Sequence, residues 1–296
     1  MNRHLRILQI LCIAAVTGDC LSAEALPENL GDWSPIVRSA AIKQAIKTGP
    51  ETLPGLREAL QSDNAGLRHS ATMVIAGLAK NASDKNSGEW PAVTAALIEV
   101  LGSDRDFWTR CGAASALKSI QSQAAAPALI RAANDPNPWV AAASVDAISN
   151  LPVKHFGKEE YLTTAVNALE APRSATRTSA VKMLTVLGPD GKKALPQVER
   201  SVATFSQDSM FADRPRFEAI VWISRYDRKK AAKLANGLLL EERWGAKGRY
   251  AMLVPFLQKL GRDAAPAKAG LERAAADKRN KNTAAKARQI LNTLNQ

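Results

Sequence analysis

The chain has 296 residues, 46% of them hydrophobic and 23% charged, and is longer than one globular core commonly holds. Lys and Arg number 40 against 28 Asp and Glu, giving +12 at pH 7 and a pI near 9.8, a balance that favours an acidic partner or an anionic envelope surface. Only three cysteines occur, and the longest apolar run falls well short of the roughly 20 residues that cross a bilayer as a helix, so no membrane-spanning helix is expected.

Residues 1–23 have the layout of a secretory signal peptide. Met1 to Arg6 is short and basic, Ile7 to Val16 is nearly all apolar, and Leu21-Ser22-Ala23 offers small residues before Glu24. The mature chain is therefore expected to start near Glu24 and to be exported to the periplasm, the cell envelope or the medium. The alternative is a buried cap helix, to which Gln9 and Thr17-Gly18-Asp19 are suited. Asp19 is unsuitable before a lipid-modified Cys20, so no lipid anchor is expected. Removal of the leader takes Cys12 and Cys20 with it and leaves Cys111 alone, with no internal disulfide available.

From there to the C-terminus the spacing predicts helices in pairs. A lone helix over 35–47 is followed by 51–61 with 63–79, 90–102 with 105–121, and 124–133 with 136–151. Next come 158–170 with 173–187, 191–205 with 213–226, 228–240 with 243–260, and 263–276 with 281–294. The clearest unit is 124–151. Its second helix places Val140, Ala143, Ser144, Ala147, Ile148 and Leu151 on one face, and Asp135-Pro136-Asn137-Pro138 supplies caps and helix-starting prolines before it. Two connections, Lys80 to Glu89 and Ser206 to Pro215, are long and polar.

The units align with one another. Ala41, Ala71, Ala113, Ser144, Ala180 and Ala219 form a column of small residues, three positions after Arg38, Arg68, Arg110, Ala141, Arg177 and Arg216. Lys247 and Lys281 extend the basic column. Pro54, Pro91, Pro127, Pro196 and Pro266 mark the opening turns of first helices, at one or two intervals of about 35 residues, the range of helical repeat arrays. The run DPNPWVAAASVDAISNL, with DRDFWTRCGAASALKSI one unit earlier, resembles the HEAT repeat over roughly residues 32–294. The TPR signature is absent from every unit. This resemblance implies an all-α solenoid of the HEAT/armadillo type with about seven antiparallel helix pairs spanning residues 24–296. It also implies a ladder between repeats, in which a turn Asp bonds an Arg of the second helix. Asp32, Asp104 and Asp135 match the turn position whereas Ser62, Ala171 and Met210 do not, and Ala141 replaces the Arg, so an interrupted ladder is expected.

The inventory for chemistry is thin. No HExxH, CxxC or Gly-x-Ser-x-Gly occurs, and His69 and His155 are far apart. Gly188-Pro189-Asp190-Gly191-Lys192-Lys193 lacks the glycine spacing of a phosphate loop and reads as a helix stop. No catalytic residue, metal site or cofactor is expected. Two groups stand out. Trp108 and Trp139 each lie four residues after their Asp, near Arg110, and together form a candidate contact patch on the concave face; the competing reading packs both indoles into the seam between repeats. Lys278, Arg279 and Lys281 form a basic C-terminal cap. The expected function is a non-catalytic exported scaffold, monomeric, binding a protein, with an acidic partner suited to the chain's positive charge. The resemblance leaves two alternatives: a HEAT-like enzyme acting on DNA in the manner of the glycosylases, and a lyase for chromophore-bearing proteins, for which Cys111 is the one mature thiol.

Overall fold

The computed structural model describes residues 26–204, 213–241 and 246–296. Residues 1–23, expected to be a signal peptide, together with Met210 and most of the Ser206–Pro215 connection therefore lie outside the described residues. Among those described there is no strand, and no helix is long and apolar enough to cross a membrane. The helix α1 (Pro35–Thr48) stands alone. It is followed by α2 (Leu53–Ala59) with α3 (Ala65–Asn81), α4 (Trp90–Ser103) with α5 (Phe107–Ile120), and α6 (Ala126–Ala132) with α7 (Pro138–Asn150). The array continues with α8 (Lys158–Ala168) and α9 (Ser174–Val186), α10 (Leu195–Thr204) and α11 (Asp213–Ile223), α12 (Arg228–Leu240) and α13 (Ala246–Leu260), and α14 (Lys268–Ala276) and α15 (Lys281–Leu294). The fold is an α-solenoid.

Local chemistry explains the boundaries. Second helices start where a short polar side chain accepts an otherwise unpaired backbone N–H: Asn64 caps α3, Asp106 caps α5 and Asn137 caps α7. First helices begin with Pro at their second position in α2, α4, α6 and α10, where the missing N–H costs nothing. Pro266 departs from this expectation. It lies inside a 3-10 segment, Gly261–Ala267, and α14 starts only after it. Similar 3-10 turns, Pro50–Thr52, Gln123–Ala125 and Gly188–Ala194, precede α2, α6 and α10, so these first helices are shorter than the periodicity predicts. Gly188, with φ +57°, ends the α9 segment in the left-handed region, which accounts for the glycine in that stretch without a phosphate.

The second helices form the denser row, with α3 on α5, α5 on α7, α7 on α9 and α9 on α11. The small-residue column makes this possible: Ala41, Ala71, Ala113, Ser144, Ala180 and Ala219 are all buried at the contacts. Gly112 shows the tightness, since a Cβ there would lie 2.0 Å from the Thr72 hydroxyl oxygen. The first helices keep bulkier residues such as Leu56, Leu97 and Leu129 between them.

The ladder is present and interrupted as expected, and it extends to an acidic residue further along the chain. Nη1 of Arg68 donates to the Ser62 and Asp63 carbonyls of its own turn at 2.7 and 3.1 Å. Its Nε and Nη2 reach across to both carboxylate oxygens of Asp104, at 2.6 and 2.9 Å. Arg110 does the same, donating to the Asp104 carbonyl at 2.8 Å and to Asp135 at 2.9 and 3.0 Å. The carboxylates also hold their own turns, Asp104 accepting the Asp106 amide and Asp135 the Asn137 amide, each at 2.8 Å. Burial raises the Asp104 pKa, but the Arg68 guanidinium and the Asp106 amide outweigh it and hold the carboxyl below its ordinary value. Arg38 and Arg177 likewise donate to the carbonyls of their own turns, at 2.7 and 3.0 Å and at 2.6 and 2.9 Å. Further along, Arg216 makes a forked pair with Glu241, and the fully buried Arg249 lies against Glu241 and Asp213. Arg249 thus stands in the ladder near Lys247, whose side chain lies outside the described residues, while Lys281 is exposed.

Arg110→Ala is expected to cost about 1–3 kcal/mol in denaturant melts, because it strips two turns of charge-assisted bonds in a mostly buried pair. Arg288→Ala removes one exposed bond to the Ala275 carbonyl and should stay within about 0.5 kcal/mol. Equal losses would show that the bonded fork carries no special weight.

Candidate protein-binding groove

Trp108 and Trp139 occupy equivalent places in α5 and α7, each two residues past its cap. The caps fix them: Asp106 accepts the Thr109 amide at 2.8 Å, and Asn137 accepts the Trp139 amide at 2.9 Å. The two rings stack across the repeat boundary, their centroids 5.9 Å apart and tilted by 42°. Even so they remain 49% and 46% exposed, so packing in the seam accounts for about half of each indole. Phe107 buttresses Trp108 with centroids 4.8 Å apart. His69 holds the same turn from α3: its Nδ1 carries the proton and donates to the Trp108 carbonyl at 3.0 Å, while burial pushes its pKa down.

The sequence did not single out Arg173. The guanidinium carbon of this residue sits 3.5 Å from the centroid of the Trp139 ring. Three consecutive repeats thus contribute one surface column, Trp108, Trp139 and Arg173. They border a shallow depression of about 270 Å³ floored by Ala142, Ala143 and Thr176. Arg110 is near in sequence but turned away into the ladder, so the structure separates it from the two indoles. A larger depression, about 490 Å³, lies between the turns bearing Arg68 and Asp104, and these two charges already satisfy each other.

Cys111 lies in the same depression as the indoles and is half-buried. Burial pushes its thiol up to about 11, with the Arg110 charge offsetting part of the effect. Among the described residues no group of three or more His, Cys, Asp or Glu could hold a metal ion.

The basic cap is exposed at the far end of the array. Arg279 donates to Asp277 at 3.0 Å, whereas Lys278 and Lys281 make no ion pair among the described residues. Elsewhere the positive charge is partly matched, as in Lys230 with Glu199 at 2.9 Å and Lys118 with Asp146 at 2.7 Å.

Paired helices stacked through small residues, with an Arg–Asp ladder between turns, define a HEAT-like solenoid. Residues 67–149 and 94–185 match the model for HEAT repeats. The Escherichia coli protein YibA has the same fold with a TM-score of 0.64 at 15% identity, covering 89% of each chain. An engineered protein gives 0.51 at 17% identity, over 87% of this chain and 71% of its own. A chain of the CpcE–CpcF phycocyanin lyase complex of Nostoc sp. PCC7120 gives 0.46 at 16% identity, over 82% of this chain and 94% of its own. Likeness at these identities is likeness of fold. No curated protein sequence matches this chain.

A thiol held up to about 11 is expected to be a poor nucleophile. At pH 8 Cys111 should react with iodoacetamide about 100-fold more slowly than a free thiol of ordinary pKa. Alkylation as fast as that of glutathione would restore it as a candidate nucleophile.

Proposed function

We propose that this chain is a non-catalytic, exported, monomeric HEAT-repeat scaffold that binds another protein along its row of second helices, centred on Trp108 and Trp139. The observation that carries the reading is the half-exposed indole pair, stacked at 5.9 Å and joined to Arg173. Stacked aromatic and Arg side chains with water-facing surface are the residue types that dominate interface hot spots. A single exposed Trp needs no explanation; two in register on adjacent repeats form a patch. The protonated state of Cys111 favours binding over covalent chemistry in the groove.

The test begins with a partner captured from the native envelope fraction and then uses two variants whose melting is first shown to be unchanged. Trp108→Ala/Trp139→Ala should weaken affinity by about 100-fold or more, as the loss of two hot-spot residues does. A cap variant with Lys278, Arg279 and Lys281 neutralised should alter mainly the association rate and its salt dependence. Normal binding by the double Trp variant, with affinity lost in the cap variant at physiological salt, would move the site to the basic end.

Export rests on the pattern of residues 1–23. The intact mass of protein isolated from its native host should correspond to a chain starting at or near Glu24. A soluble cytoplasmic protein that retains residues 1–23 would overturn export and favour the DNA-directed alternative.

A further inference from the structure

Arg173 stands where a helix-capping residue belongs. At the equivalent place Asn64, Asp106 and Asn137 each accept a backbone N–H, from Leu67 at 3.2 Å, Thr109 at 2.8 Å and Trp139 at 2.9 Å. Arg173 has nearly the backbone conformation of Asn137, φ −88° and ψ 127° against −85° and 118°. Its side chain holds donors only, and α9 has no side-chain cap. Local helix chemistry therefore does not account for the arginine.

The ladder does not account for it either. Ala141 and Ala171 stand where the Arg and the Asp would, so the repeat boundary beneath Arg173 has no fork. The acids nearby are already held. Asp135 accepts both arms of Arg110, and Asp146 accepts Lys118 at 2.7 Å. Among the described residues no carboxylate bonds the Arg173 guanidinium, which lies flat on Trp139 with its edge at the depression. Stacking fixes the plane of the fork in advance, so less freedom is lost when it pairs with a planar carboxylate.

We infer that the groove takes an acidic peptide segment, with a carboxylate paired to Arg173 and a neighbouring aliphatic or aromatic side chain laid across Trp108 and Trp139. This rests on the groove being the protein-binding site. The net charge of +12 draws such a segment in.

The experiment is selection from a displayed library of random short peptides on the full chain, followed by titration of the enriched sequences as synthetic peptides with amidated and free C-termini. The variants are Arg173→Asn, which supplies the missing cap and so guards the fold, Arg173→Gln as a second neutral replacement, and Trp108→Ala/Trp139→Ala. Enriched peptides should carry Asp or Glu beside an apolar residue, or should need the free C-terminus, which identifies the source of the carboxylate. Replacing that acid by its amide, or Arg173 by Asn or Gln, should weaken binding about tenfold or more, and the two changes together should do little more than one. Peptides that need the Trp pair but bind the Arg173 variants as tightly overturn the acidic preference and leave the groove standing. Peptides indifferent to all the variants overturn the groove itself. No enrichment, or binding of a single-stranded oligonucleotide at the indoles in preference to every peptide, also overturns the inference.

Discussion

Close approach of successive second helices is the constraint on which this architecture depends. Each of these helices has a small residue at its point of contact, and Gly112 lies so near Thr72 that even a methyl group would displace its neighbour. Each helix pair buries its apolar face only against adjacent pairs, so the array grows without a single shared core. Trp108 and Trp139 sit at the starts of two of these helices, α5 and α7.

Polar groups at the turns need an answer of their own, because the turns lie where repeats meet and water is partly excluded. The guanidiniums of Arg68 and Arg110 supply it by filling the carbonyls of their own turns while reaching to the next turn's carboxylate. Such a forked, mostly buried pair sets the register between repeats as well as adding stability, and the removal of one partner strands the other. Between α7 and α9 both members are replaced by alanine. At that boundary a surface stack of Trp139 and Arg173 joins the repeats instead. The place where the repeat pattern is relaxed is therefore also the place where aromatic and cationic side chains are presented to solvent. The arginine at a capping position is a departure from local preference at that same boundary.

What the sequence by itself determined was whatever recurs. Apolar spacing, capping residues and opening prolines repeat because every unit solves the same packing problem, so the helix pairs, the small-residue column and most ladder arginines were legible before any coordinates. The same repetition located Trp108 and Trp139 at matching positions. Only the tertiary structure decided what joins unlike columns. The guanidinium of Arg173, at a cap position, lies on an indole two places past the cap of the preceding repeat, and no single column records that pairing. Glu241 enters the ladder beside Arg216 and Arg249 from the turn position, six residues before Lys247, with a Glu where the earlier turns have Asp; which arginines reach it was decided only in space. Arg110, adjacent to the indoles along the chain, is turned from them by the helix period and spent on Asp135. Sequence spacing reports which side chains share a face of one helix; the meeting of faces from neighbouring repeats depends on helix separation and tilt, which are set by the volumes of all the residues packed between them.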